Sequence, residues 1–132
     1  MRFLLMFAAC LAASHLPTPA NANEEYYRCS LSGVADTWND AETTDFWLDA
    51  FMTEEIFVDR QSGEVRHTGL GNSYYDEIKV LHPGDAENAF KVFAQSHNGW
   101  QAHFMTVQTF RESEEMKFII VEGGTVWNGT CK

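Results

Sequence analysis

Four histidines follow residue 22 of the 132-residue chain, His67, His82, His97 and His103, and with nineteen Asp and Glu residues they are the groups best suited to hold a metal or move a proton. None stands at the i, i+4 or cysteine-rich spacing that makes a zinc site specific. His97 and His103 flank one expected turn, and a site joining them to His67 or Asp85 is conceivable, but all four read first as ordinary surface or turn histidines. The run Asp36, Asn39, Asp40, Glu42 and Asp45 offers hard oxygen ligands without the Gly-centred spacing of an EF-hand, so it reads as a solvated loop rather than a calcium site. No metal and no cofactor is expected. For nucleophilic chemistry there is no Gly-x-Ser-x-Gly and no suggestive Ser-His-Asp spacing, and carboxylates are too numerous for a glycosidase pair to be singled out. No catalytic residue is assigned. A hydrolase built from spatially assembled carboxylates and a histidine stays open, because catalytic groups meet in space rather than along the chain.

The elements that must position any site begin after a leader. Met1-Arg2 is a basic start, residues 3–13 are an apolar run, and Ala20-Asn21-Ala22 is a small-x-small site beyond Pro17 and Pro19. This is the pattern of a secretory signal peptide, with cleavage expected near Ala22 and a secreted or periplasmic product. Phe7-Ala8-Ala9-Cys10 is a poorer alternative as a lipobox. The apolar run is shorter than the ~20 residues of a membrane span, so no transmembrane segment is expected. Residues 23–132 have the length of a single domain.

Removing residues 1–22 takes Cys10 away and leaves one possible pair, Cys29 with Cys131, in an oxidising compartment. That bond brings the two ends of the domain together, with Cα atoms expected about 4.4–6.8 Å apart. Arg2 is also lost, leaving 8 basic against 19 acidic side chains, a net charge of −11 compared with −10 for the whole chain. No Lys or Arg cluster exists to meet nucleic acid. A field of this sign favours a basic partner protein.

Glycines punctuate segments rich in β-branched and aromatic residues, the mark of strands and turns. Strands are expected over 26–31, ending at Gly33, and over 55–59 and 64–68 as a hairpin around Arg60-Gln61-Ser62-Gly63. Further strands are expected over 78–81, 88–94, 100–110 and 116–121, with a last one from Val126 to Cys131. Asn98-Gly99 is a strong hairpin signal, residues 36–45 read as an acidic loop, and 111–115 as a charged turn. In 100–110, Gln101, His103 and Thr109 share one parity and mark the wetter face. Residues 46–52 fit either a short helix or a buried strand. The fold class is therefore mainly β: a single small antiparallel barrel or sandwich of about 7–8 strands, with a short helix allowed near 44–52 and the terminal strands linked by the disulfide. Pairing the first strand with the last would close a barrel. Asn128-Gly129-Thr130 is a glycosylation sequon, but Asn-Gly before a terminal strand residue reads more readily as a bulge or turn, and Thr130 suits a strand.

Sixteen aromatic residues follow residue 22, most of them needed for the core. Trp38, Trp47, Tyr74, Tyr75 and Trp100 lie in or beside expected loops, where a rigid ring can anchor a partner or a sugar. Tyr27-Arg28-Cys29 with the late Cys131 resembles the frame of the periplasmic inhibitors of C-type lysozyme, which are small acidic β-barrels. The resemblance covers only the two ends, and counterparts of that family's Ser- and Lys-containing inhibitory segments are absent, so it implies a barrel and no site residues. The leading expectation is an exported, non-enzymatic binding module, inhibitor-like, that engages a basic protein through acidic loops and exposed aromatics. The alternative is a carrier of an apolar ligand inside a barrel lined by Phe90, Phe93, Phe104 and Phe118.

Overall fold

In the computed structural model, which describes residues 25–110 and 115–132, the alternating segments become β1 (Tyr26–Asp36), β2 (Ile56–Asp59), β3 (Val65–Arg66), β4 (Glu77–Pro83), β5 (Phe90–Gln95), β6 (Ala102–Val107), β7 (Met116–Glu122) and β8 (Thr125–Cys131), with one helix, α1 (Ala41–Phe51). The expected signal peptide lies outside the described residues, as does most of the turn expected over 111–115. The strands form one antiparallel sheet in the order β3-β2-β1-β8-β7-β6-β5-β4, curled into a half-barrel. Among the described residues no helix is long and apolar enough to cross a membrane.

Strand β1 pairs with β8 from Cys29↔Cys131 to Asp36↔Thr125. The Cys29–Cys131 disulfide joins them. Its Cα atoms are 3.9 Å apart, closer than expected. The neighbouring Arg28 and Lys132 exchange both backbone hydrogen bonds, so the cysteines occupy the narrow, non-hydrogen-bonded site next to them, where opposed residues approach most closely. The meeting of the two ends falls in the middle of the sheet rather than at a seam, and β3 and β4 are left as its edges.

Curling buries one face. Phe90, Phe118, Ile56, Met105 and Ile120 are at most 1% exposed, and each such side chain contributes roughly 1.5–3 kcal/mol by leaving water. Tyr27 of β1 meets Phe90 of β5 edge to face, with ring centroids 5.3 Å apart, although three strands separate β1 from β5 in the sheet order. The β2–β3 hairpin folds over in the same way. Gly63, at φ +78°, sits where a Cβ would lie 2.5 Å from Val92 Cγ2, so both its left-handed backbone and its lack of a side chain are used.

Several sequence expectations are corrected. Strand β1 does not end at Gly33; it continues to Asp36 through an irregularity between Leu31 and Gly33 that leaves Ser32 without a partner. The acidic loop is shorter than 36–45, because Asp40 accepts the Thr43 N–H at 2.9 Å and starts a helix at Ala41. Residues 46–51 are therefore helical. Along β6 the wetter face is the opposite one: His103 is buried together with Met105 and Val107, which share its parity, while Phe104 and Thr106 face outward and are half-exposed. His67 is not a surface residue either, since its side chain is fully buried.

Removing the cross-link tests how much the β1–β8 junction depends on it. The closed loop spans 102 residues, for which chain entropy gives about 4 to 5 kcal/mol as an upper figure. The Cys29→Ala/Cys131→Ala variant is expected to keep its β-sheet circular dichroism and lose about 2–5 kcal/mol in urea unfolding.

Candidate functional site

Strand register sorts the expected site residues by position. Asp36↔Thr125, Glu122↔Thr125, His103↔Glu122, Gln95↔Ala102 and Glu77↔Gln95 run across one end of the sheet. Four of the five aromatic candidates belong to connections at this end. Trp38 follows β1, Tyr74 and Tyr75 precede β4, and Trp100 lies between β5 and β6. Trp38, Trp100 and Tyr74 are 77%, 73% and 62% exposed, whereas Tyr75 is buried at 6%. Trp47 is not part of this rim; it sits on α1 between Phe46 and Phe51, with ring centroids 5.4 and 5.5 Å away.

Each exposed ring is held by local chemistry. Asp36 accepts the Trp38 N–H at 2.8 Å and bonds the Asn39 side chain at 2.7 Å. These bonds, the Trp38 one foremost, hold the Asp36 carboxyl below its usual range. The Trp38 ring lies on the β7–β8 turn, where a Cβ on Gly124 would stand 2.7 Å from Cε2. Tyr74 and Tyr75 stack with centroids 4.5 Å apart and both donate to Glu122 Oε1, at 2.5 and 2.7 Å. Burial, and then the Glu122 hydrogen bond, push the Tyr75 phenol well above its usual value. Both phenols therefore stay protonated donors at neutral pH.

Sequence reasoning missed the groups beneath these rings. Glu122 ends β7 before Gly123-Gly124 and, through Tyr74 and Tyr75, ties the 67–76 connection to the sheet. His103 is buried behind Tyr75, with ring centroids 6.1 Å apart, and its Nε2 lies 3.3 Å from the Leu70 carbonyl. Asn72, also fully buried, accepts from the Val65 N–H at 2.7 Å and donates to the Gly63 carbonyl at 2.9 Å. A polar side chain inside a loop otherwise gives no sequence signal of such pinning. His67 Nδ1 accepts the N–H groups of Gly69 and Leu70, both at 3.1 Å, so it shapes the same connection.

The cations are segregated along the strands, while carboxylates occur at both ends. The rim carries Asp36, Asp76, Glu77 and Glu122, and Asp40 and Glu42 follow at the start of α1. Among the described residues, Arg28, Arg60, Lys91, Lys117 and Lys132 fall in or beyond the opposite half of their strands, Arg66 lies level with Arg28 across Phe57, and Lys79 is the nearest cation to the rim. Asp76 accepts the His97 N–H at 2.6 Å and Glu77 accepts the Gln95 amide at 2.7 Å, so these carboxylates also tie the β5–β6 connection to the start of β4.

Other expected sites are dispersed. No group of three or more His, Cys, Asp or Glu among the described residues is placed to hold a metal ion. Phe90 and Phe118 belong to the core, whereas Phe93 and Phe104 pair with each other on the outer face. The four phenylalanines thus do not line one cavity; the concave face is filled by its own side chains. No protein-family model, curated protein or solved structure matches the chain.

His103 supplies a pH test of this arrangement. Burial lowers its pKa below 6.5, against the opposing pull of Glu122. The folded state thus favours neutral imidazole, and this contribution to stability is full above pH 6.5 and is lost as pH falls through the lowered pKa. Urea midpoints of the parent should therefore fall between about pH 7 and 5. His103→Leu is expected to be less stable throughout, because the Leu70 carbonyl loses its partner, but to show a flatter fall over the same window.

Proposed function

We propose that this chain is an exported, non-enzymatic binding module, released after cleavage near Ala22 into the periplasm or extracellular space, that engages a basic protein through the rim. The observation that carries this reading is the grouping at one end of the sheet of exposed Trp38, Trp100 and Tyr74 with Asp36, Asp76, Glu77 and Glu122, and with no Lys or Arg there among the described residues. Aromatic rings on short tethers supply contact area at small entropic cost and dominate many interfaces. Carboxylates around them steer a cationic partner and raise its encounter rate. Inhibitor-like action fits this geometry, since a rim of projecting side chains can enter a concave site on another protein.

The test is capture by the exported chain at low and high salt, with the eluted proteins identified by mass spectrometry. A basic protein is expected to be retained at about 0.05 M salt and released near 0.5 M, where charge screening shortens to a few ångströms. Trp38→Ala and Trp100→Ala should each weaken that interaction by about tenfold or more, at unchanged thermal stability. Retention that is indifferent to salt and to both substitutions would refute the reading.

A further inference from the structure

A groove of about 310 Å³ crosses the outer face of the sheet, between β1 and β6 and away from the rim. It exists because short outward side chains, Ser32, Thr106 and Thr130, are ringed by the longer Gln108, Lys117 and Ile119. The unpaired Ser32 at the β1 irregularity belongs to this lining. Its volume is at the small end for ligand sites and suits a single sugar ring rather than a lipid or a large cofactor.

Three observations define what fits. Gln108 Oε1 is shielded from solvent and has no hydrogen-bond partner among the described residues. A hydroxyl both donates and accepts, so it pairs with the Gln108 amide in either orientation. Lys117 is the only charged residue lining the groove, and no carboxylate stands within ion-pair distance of it among the described residues. In an acidic protein, an ammonium with no carboxylate partner among the described residues, beside hydroxyls and the Asn128 amide, selects a ligand with one negative charge and several hydroxyls. Ile119, 39% exposed on this outer face, adds an apolar surface for the C–H face of a pyranose ring.

We propose that this groove binds a carboxylated monosaccharide unit, a hexuronate, with its carboxylate on Lys117 and its ring hydroxyls on Gln108, Asn128 and Thr130. This site is independent of the rim, and neither reading requires the other. Free glucuronate titrated into the exported chain, followed by amide NMR, is expected to shift Thr106, Lys117, Asn128 and Thr130 saturably. Glucose, lacking the carboxylate, should bind at least about tenfold more weakly. Lys117→Gln is expected to abolish that preference while leaving the rest of the spectrum unchanged, and Gln108→Met to weaken both sugars. Tighter binding of a glucuronate-terminated oligosaccharide would identify a glycan as the source, and equal binding the free sugar acid; both support the site. No saturable shift, equal affinity for glucose, or shifts confined to the Trp38 and Trp100 end would overturn it.

Discussion

Because β1 runs antiparallel to β8 through seven paired positions and is bonded to it at Cys29–Cys131, the segments β3-β2-β1 and β8 through β4 behave as one surface. Without that junction the hairpin-connected run β4 to β8 would be a sheet with one face uncovered. The early strands would be too short to shield it, since β2 has four residues and β3 two. With the junction in place, the curl carries Ile56, Val58 and Val65 over Phe90 and Val92, and a single core results. Burial on this scale must outweigh the conformational entropy of every ordered residue, which is why a covalent restraint on the unfolded chain matters in a domain of this size.

The junction also explains why polar chemistry collects where it does. An inward face that is filled leaves the ends and the outer face for anything that must meet solvent. At one end, Glu122 holds two tyrosines and Asp36 holds Trp38, so rings that the sequence places in separate loops share a boundary. On the outer face, the irregularity at Ser32 interrupts the row of paired positions on β1.

What was legible in the sequence follows from locality. Asn98-Gly99 and the loop ending at Gly63 were readable because a positive φ nearly demands glycine. The disulfide was readable because two cysteines permit one pairing. The β6 parity was not: Trp100, Ala102 and Phe104 outnumbered apolar residues near the start of the opposite register, and only the depth of Met105 and Val107 decides the face. Tyr74 and Tyr75 were correctly placed in a loop. Their different exposures depend on Glu122, forty-seven residues beyond Tyr75, which no local pattern reveals. The gathering of four aromatic candidates at one end was likewise hidden, because it is a property of strand register rather than of any segment.

Leaving the half-barrel open has a cost that β4 is built to meet. A free edge exposes unpaired backbone groups to strand addition by another chain. Strand β4 slips register between Val80 and His82, ends in Pro83, which has no N–H to offer, and carries Glu77 and Lys79 along its length. At the other edge, β3 is too brief to serve as a template. The molecule thus remains an open curl without inviting fibrous self-assembly, and the protection is written into irregularities that an ideal barrel would not contain.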